Sequence, residues 1–244
     1  MASSDEKPGP MPGPEGSTPG KAMTTGQRIL DKGAQIVQSL KPIKHISQHA
    51  CTFAFYAHDL SRHIQTHHFL SRLNQDFLQC PVYDSDSSDA RLIGIEYIIS
   101  EWIFEALPAE EQKLWHSHAY EIESGLWINP GMAETIQKLE LRNLAKTYGK
   151  FWCTWQVDRG DKLPLGAPAL MVSPQAEIMG LVNPELIVKR DEKYRITSED
   201  VIESRAGIEE PETISLHADH WRNTGKGFAI DVVQTEMKSG APFP

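Results

Sequence analysis

Short runs of differing hydrophobic period most constrain how this chain can fold. Residues 23–41 carry apolar side chains at helical spacing until Pro42, whose ring and missing N–H stop a helix. The aromatic run at 51–56 predicts a β-strand, and residues 63–83 predict two short strands before a polar turn. Because such runs do not alternate strictly, we expect an α+β fold rather than a doubly wound parallel sheet.

The middle of the chain predicts further elements of both kinds. Residues 92–107 predict either a strand that runs into a helix or one helix that ends at Pro108. Residues 114–128 resemble a strand, residues 132–148 an amphipathic helix, and residues 151–157 another strand. We therefore expect a single domain with a mixed, mainly antiparallel sheet flanked by helices.

Composition divides the 244 residues into three parts. Residues 1–22 hold five prolines and four glycines without apolar periodicity, so they cannot bury enough surface to offset their ordering entropy. They predict a disordered N-terminal tail. Residues 23–190 hold the expected α+β domain. Residues 191–244 form an acidic C-terminal extension that we expect to be partly helical or disordered.

Charge and cysteine content exclude some classes of protein. The chain has 24 Lys and Arg against 33 Asp and Glu, and a net charge of −9 disfavours non-specific nucleic-acid binding. Three widely spaced cysteines without a CxxC pair fit a reducing, cytoplasmic compartment. We expect neither a secretory signal nor a transmembrane segment, because no stretch has the required apolar run.

Histidines provide the main candidate site. His116 and His118 would point to one face of a strand, and His63 and His67 would share one face of a helix. Imidazole is a common ligand of transition metals, and two or three such groups with a carboxylate form a complete ligand set. The alternative is a seam of hydrogen-bonded histidines, because these spacings also arise by chance and none matches HExxH.

Glu96 is the carboxylate that this site would use. If residues 92–107 form one helix, Glu96 falls on the core side beside Ile99. A buried carboxylate must be paired, bound to a metal or protonated. If the segment is a strand, Glu96 alternates away from Ile95 and Tyr97 and the argument weakens.

We expect Glu96 to contact a histidine, first His116 or His118 and then His49 or His67. The predicted ligands of a divalent metal are His49, His67, Glu96, His116 and His118.

Residues 21–44 combine an apolar stripe with positive charge. They hold five basic residues and one acidic residue, a local charge of +4 in an acidic chain. This combination is typical of helices that lie on a membrane or lipid-droplet surface. The alternative is a helix that packs its stripe on the domain and exposes its lysines to water.

Four sequence blocks resemble the oil body-associated protein family. They are HISQHACTFAFYAHDLSRHIQTHHFLSRLNQDFLQCPVYDS at 45–85, DARLIGIEYIISE at 89–101, LPAEEQKLWHSHAYEIESG at 107–125 and KTYGKFWCTWQVDRGDKLPLG at 146–166. The resemblance implies peripheral association with oil bodies, an effect on their stability and size, and no enzymatic activity. It also implies that the family's histidines and carboxylate are His49, His58, His67, His68, His116, His118 and Glu96. Ala54 and Cys153 stand where plant members often have further histidines.

Three functions follow from these observations. The first, which we favour, is a non-enzymatic protein at the lipid-droplet surface. The second is a metal- or cofactor-dependent enzyme of unknown substrate that uses the histidines and Glu96. The third is a soluble structural protein, and a homodimer is an expected assembly for it.

Overall fold

A closed antiparallel sheet forms the centre of the computed structural model, which describes residues 3–5, 18–208 and 214–236. Its strands are β1 (Gln48–Tyr56), β2 (Asp59–Asn74), β3 (Phe77–Tyr83), β4 (Leu92–Ser100), β5 (His116–Ser117), β6 (Thr147–Cys153) and β7 (Ala169–Val172). Six of them follow the order β4-β3-β2-β1-β7-β6, and β4 pairs again with β6, which closes a six-stranded barrel. The short strand β5 pairs with residues 148–149 of β6. It lies on the same side of β6 as β7, which pairs with residues 151–153.

Every pairing between these strands is antiparallel. The α+β class and the antiparallel sheet are therefore as expected, but the sheet is not mixed, and its closure was not predicted. Closure depends on Gly94 of β4, which pairs with Cys153 of β6. A Cβ atom at Gly94 would lie 2.2 Å from the carbonyl oxygen of Trp152, so a larger residue would push the two strands apart.

Helices surround the barrel and connect its strands. They are α1 (Thr25–Val37), α2 (Lys41–Lys44), α3 (Glu101–Glu105), α4 (Ala109–Gln112), α5 (Ala119–Glu123), α6 (Glu134–Leu144), α7 (Pro184–Tyr194), α8 (Ser198–Ser204) and α9 (His220–Thr224). None of the helices in the described ranges is both long enough and apolar enough to traverse a bilayer.

The structure decides between two alternatives for one predicted element and corrects another. Residues 92–107 are a strand that runs into a helix, since β4 is followed directly by α3. The strand expected at 114–128 is wrong, because only β5 is extended and α5 follows it. The hydroxyl oxygen of Ser117 accepts a hydrogen bond from the N–H of Ala119 at 3.2 Å. This local bond turns the chain out of the strand and into the helix.

The helix expected at 23–41 is present but shorter. Thr24 caps α1 by accepting a hydrogen bond from the N–H of Gln27 at 3.2 Å. The helix ends at Val37, and Leu40 adopts a left-handed conformation with φ of 40°. Pro42 lies in the first turn of α2, a position that favours proline, so it begins a helix instead of ending one.

The two ends of the chain contact the barrel in the parts that are described. The N–H of Ser4 donates to the carbonyl of Ile230 at 2.9 Å. Val201, Arg205 and Trp221 are buried, so residues beyond 190 contribute to the packing. Most of the tail predicted to be disordered, together with 209–213 and 237–244, lies outside the described residues. The division at residue 190 stays a prediction.

Candidate functional site

A buried polar cluster lies inside the barrel around Glu96, which is 2% exposed. Its Oε1 atom lies 3.0 Å from Nε2 of His116 and 3.6 Å from Nε2 of His118. Its Oε2 atom lies 2.8 Å from Nδ1 of His68. All three imidazole rings are buried. The expected contact between Glu96 and the histidines at 116 and 118 is therefore present.

Glu96 reaches this position because it lies on a strand and not on a helix. Side chains alternate along β4, so Glu96 shares the interior face with Gly94 and Ile98, whereas Ile95 is exposed. The helical-wheel argument thus placed Glu96 inside for the wrong reason. Alternation, which was expected to weaken the argument, is what buries the carboxylate.

Three atoms that could bind a metal converge next to Gly149: Oε1 of Glu96 and Nε2 of both His116 and His118. His116 pairs with Gly149 across the β5–β6 ladder. A Cβ atom at Gly149 would lie 2.5 Å from Oε1 of Glu96 and 2.6 Å from Nε2 of each histidine. The absence of a side chain at residue 149 is therefore what lets the three atoms converge. These atoms all lie within 4.8 Å of one another.

Hydrogen bonding fixes the tautomer of His118. Its Nδ1 atom lies 2.8 Å from the hydroxyl oxygen of Thr147, which donates its own proton to the carbonyl of Leu144 at 2.6 Å. Because a hydroxyl has one proton, Nδ1 of His118 must donate to Thr147. A neutral ring then directs the lone pair of Nε2 towards Glu96.

Two further residues, His68 and Glu121, lie next to Glu96 and His118. His68 faces Oε2 of Glu96 as an ion-pair contact that lacks hydrogen-bond alignment, and its Nε2 lies 2.8 Å from the hydroxyl of Thr66. Oε1 of Glu121 lies 3.9 Å from Nε2 of His118, while its other oxygen accepts from the hydroxyl of Thr52. The cluster thus contains a second buried carboxyl group beside the first.

Electrostatics in the cluster favour an ionised Glu96. Burial disfavours the charged carboxylate, but His68 and the hydrogen bond from His116 outweigh it and hold the pKa well below its ordinary value. Burial also lowers the pKa of His116, but Glu96 outweighs burial and raises it. For Glu121, burial dominates and raises the pKa. A buried negative charge at Glu96 therefore requires positive charge nearby.

The space left within the cluster is small. A cavity beside Glu96 and His116 has a volume of about 10 Å³, and His68, Glu121 and Trp127 are among the other residues that line it. This is about the room that one water-sized sphere needs. Pockets that bind organic ligands measure on the order of 300–1,000 Å³. The site can therefore accommodate an ion or a single water molecule.

The five predicted ligands do not form one site. His49 and His67 lie apart from Glu96, and their rings share a hydrogen bond of 3.0 Å between Nε2 and Nδ1. His67 and His68 are adjacent on β2, so they point to opposite faces of the sheet. Burial lowers the pKa of His67 to about 4, which favours the neutral ring. Asp86 completes this second cluster, and its carboxylate is already paired with Lys193.

A different kind of site lies on α1. None of its residues is buried, although it carries an apolar stripe. Ile29 and Leu30 are 67% and 64% exposed, and Ile36 and Val37 are 84% and 82% exposed. At 100° per residue these side chains fall within a sector of about 120°. The alternative in which the helix packs this stripe on the domain is therefore wrong.

Comparisons with known proteins identify the family. A family model described as "Protein of unknown function (DUF1264)" matches residues 40–209. Oil body-associated protein 2A of Zea mays is 58% identical over 252 residues, with 100% of both chains covered. The chain belongs to the oil body-associated protein family. Oil body-associated protein 1B of Arabidopsis thaliana is 40% identical over 91% of this chain and 90% of its own. No solved structure matches.

The histidine clusters and α1 lie in different parts of the chain. The family model spans both histidine clusters, whereas α1 ends before residue 40. Relatives that cover the whole chain include Oil body-associated protein 2A of Arabidopsis thaliana, which is 58% identical over 247 residues. The membership predicted from the four blocks is thus confirmed, and it extends over the full length.

Sequence reasoning missed several residues of the clusters. His68 follows His67 directly, so alternation along a strand would have separated the two. Glu121 was not identified as part of the cluster because its segment was interpreted as a strand, although it lies on α5. Gly149 gave no signal, since only the folded barrel shows which atoms its missing side chain admits.

Proposed function

We propose that the protein associates peripherally with the surface of oil bodies and contributes to their stability without catalysing a reaction. The observation that carries this proposal is the exposed apolar face of α1, in a chain whose full-length relatives are named for oil bodies. In this proposal α1 binds the droplet surface, and the barrel remains on the cytoplasmic side.

The apolar face of α1 supports burial in lipid. Fully burying a Leu, Ile or Val side chain is favourable by about 1.5–3 kcal/mol relative to water. Ile36 and Val37 gain almost none of this in the protein, because more than four-fifths of each remains exposed. Insertion of the face into the boundary between headgroups and acyl chains would recover part of this energy.

The charges around α1 select the kind of lipid surface. Arg28 and Lys32 lie on the polar side of the helix, and Lys41 and Lys44 follow on α2, with Asp31 as the single acid. Each basic group close to an anionic surface contributes about 1 kcal/mol. The net charge of −9 for the whole chain would be repelled by such a surface. Attachment is therefore expected to occur through this segment.

Cysteine chemistry supports the proposed cytoplasmic side. Cys51, Cys80 and Cys153 are free and buried. Free thiols are typical of proteins from reducing compartments, where disulfides are rare.

Flotation with artificial oil bodies tests the proposal. The droplets consist of triacylglycerol with a monolayer of phosphatidylcholine and phosphatidylserine. The test variant carries Ile29→Ser, Leu30→Ser, Ile36→Ser and Val37→Ser. The matched control carries Ile136→Ser and Leu139→Ser on α6, where both side chains are also about 70% exposed.

We expect the wild type and the α6 control to float with the droplets and the α1 variant to remain in the aqueous fraction. The wild type should also slow droplet coalescence more than the α1 variant does. Equal flotation of all three proteins would overturn the proposal. A second copy of the chain is the competing partner for this face, and α1-dependent dimerisation in sedimentation without droplet binding would support it instead.

A further inference from the structure

When the ring of His118 is neutral, two buried acceptor atoms face each other inside the barrel. The bond from His118 to Thr147 places the ring proton on Nδ1, so Nε2 carries a lone pair. This lone pair lies 3.6 Å from Oε1 of Glu96, and Nε2 has no hydrogen-bond partner among the described residues. His118 is 1% exposed, so bulk water does not separate the two atoms. Such an arrangement is unfavourable unless a positive charge lies between them.

The spacing of the donor atoms matches that of ligands on one ion. Bonds from transition metals to imidazole nitrogen or carboxylate oxygen are about 2.0–2.2 Å long. Two ligands at that distance stand roughly 3.0–3.4 Å apart in octahedral or tetrahedral geometry. Oε1 of Glu96 lies 3.0 Å and 3.6 Å from the two histidine nitrogens. A Cβ atom at Gly149 would lie 2.5–2.6 Å from all three atoms, so only glycine at this position lets them converge without a clash.

We propose that Glu96, His116 and His118 bind one divalent first-row transition-metal ion. Two imidazole nitrogens and one carboxylate oxygen suit zinc, iron or manganese better than calcium or magnesium, which prefer oxygen ligands. Thr147 orients the ring of His118, and Nδ1 of His68 lies 2.8 Å from the second oxygen of Glu96. Partners of this kind fix ligand orientation in protein metal sites.

The position of the site indicates a structural role for the ion. Glu96 lies on β4, His116 on β5 and His118 at the start of α5. An ion bound by all three would join the strand that closes the barrel to the segment that packs against β6. Since the cavity is about 10 Å³, an organic substrate does not fit beside the ion. Metal binding to the folded state then adds to the stability of the barrel.

The second histidine cluster lacks the features that support this proposal. His49 and His67 satisfy each other through their own hydrogen bond. Asp86 is exposed to solvent and is held by Lys193 and by the hydroxyl of Tyr194. A metal there would have to displace these partners, so this cluster serves as an internal comparison.

Metal counting on the full chain, purified without a histidine tag, tests the proposal. The chelator-treated protein receives an equimolar amount of Zn²⁺, Co²⁺ or Mn²⁺, and elemental analysis follows gel filtration. Glu96→Gln removes the carboxylate charge with little change of shape. Gly149→Ala places a methyl group 2.5–2.6 Å from all three ligand atoms and so forces them apart. The control variant carries His49→Gln and His67→Gln.

We expect about one ion per chain in the wild type and the control, and a loss of at least tenfold in both site variants. Bound Co²⁺ should give visible absorption bands of nitrogen and oxygen ligation in the wild type and the control alone. Retention of the ion by Glu96→Gln and Gly149→Ala, or its loss only in the control, would overturn the proposal.

Folding is monitored by circular dichroism, because both site variants alter the barrel interior. If neither folds, the wild type and the control decide the question. A rise in melting temperature on adding one equivalent of metal to both supports the site at Glu96. No rise in the wild type, or a rise that the control abolishes, overturns it.

Discussion

The barrel interior buries polar and charged side chains, whereas α1 exposes apolar ones. Both depart from the usual distribution in proteins. Inside the barrel, Glu96, His116 and His118 are at most 3% exposed. On α1, Ile36 and Val37 are more than 80% exposed. Buried charge and exposed apolar surface are both unfavourable unless something compensates for them. The comparison teaches that each reversal needs compensation, and these are the two places where we propose that the chain binds something outside itself.

The two regions differ in how they are built. The interior cluster takes residues from β2, β4, β5 and α5, so it exists only when the barrel is closed. The face of α1 needs only one helix, whose cap and stripe lie within its own sequence. Changes in the interior should therefore alter stability, whereas changes on α1 should alter binding to lipid and leave stability unchanged.

Removing the interior carboxylate should have the largest effect. Glu96→Ala leaves His68 and His116 without their buried partner, and breaking such a pair costs about 3–5 kcal/mol of unfolding free energy. Urea denaturation measures this loss. Glu105→Ala provides the control, because Glu105 is an exposed residue on α3 and should cost less than about 0.5 kcal/mol. Equal losses in the two variants would show that the interior charge is not balanced by its neighbours.

A pH dependence should follow from Asp219, a further buried carboxyl group near the cluster. Burial raises the pKa of Asp219 from 3.8 to about 6, although its oxygen accepts a hydrogen bond from the N–H of Ser117. The folded state then holds the proton more tightly than the unfolded state does. The contribution of Asp219 to stability is therefore greatest below about pH 4, falls as the pH rises to about 6, and is constant above that. The loss is about 3 kcal/mol.

Asp219→Asn isolates this contribution. Asparagine tolerates the φ of 50° at this position and cannot ionise. We expect the stability of the variant relative to wild type to rise by about 3 kcal/mol between about pH 4 and about pH 7 in urea denaturation. Parallel pH profiles for the two proteins would contradict the assignment. Droplet binding by α1 should not follow this profile, since Asp219 is distant in sequence and buried.

The sequence predicts these two regions unequally. Local patterns were sufficient for α1, because the cap at Thr24 and the apolar stripe both lie within a few turns. They were also sufficient for β1, whose aromatic residues favour a strand. That the apolar face of α1 stays uncovered could not be predicted, because this depends on how the rest of the fold is placed around the helix.

The candidate site was only half predictable, for a physical reason. Glu96 and the pair at 116 and 118 were joined correctly, but His49 and His67 were placed with them. Local patterns do not specify strand register or barrel closure, and a shift by one residue reverses the face of every side chain. The assignment of His68 to the interior and His67 to the other face follows only from that register.

Polar substitution on α1 should weaken droplet binding and leave stability unchanged, whereas Glu96→Ala should lower stability. Ile36→Ser with Val37→Ser should weaken droplet binding by about 2 kcal/mol, because two partly inserted side chains lose their apolar contact. The unfolding free energy should change by less than about 0.5 kcal/mol, since both side chains are exposed in the protein. Flotation titrations and urea denaturation measure the two quantities. A stability loss comparable to that of Glu96→Ala would mean that the face packs on the protein in solution.

The smallest expected effect concerns a single charge at the edge of the same face. Lys32→Gln should weaken binding to droplets that contain phosphatidylserine by about 1 kcal/mol, or roughly fivefold, at low salt. The matched control is Lys189→Gln on α7, which removes the same charge from an exposed position far from α1 in sequence. Because the Debye length falls from about 10 Å at 0.1 M salt to about 3 Å at 1 M, the difference between the two variants should disappear at high salt. A salt-independent loss in Lys32→Gln would instead indicate that its aliphatic stem, rather than its charge, contacts the lipid. Equal losses of binding in both variants would show that net charge alone governs binding, and that the position of Lys32 on α1 does not matter.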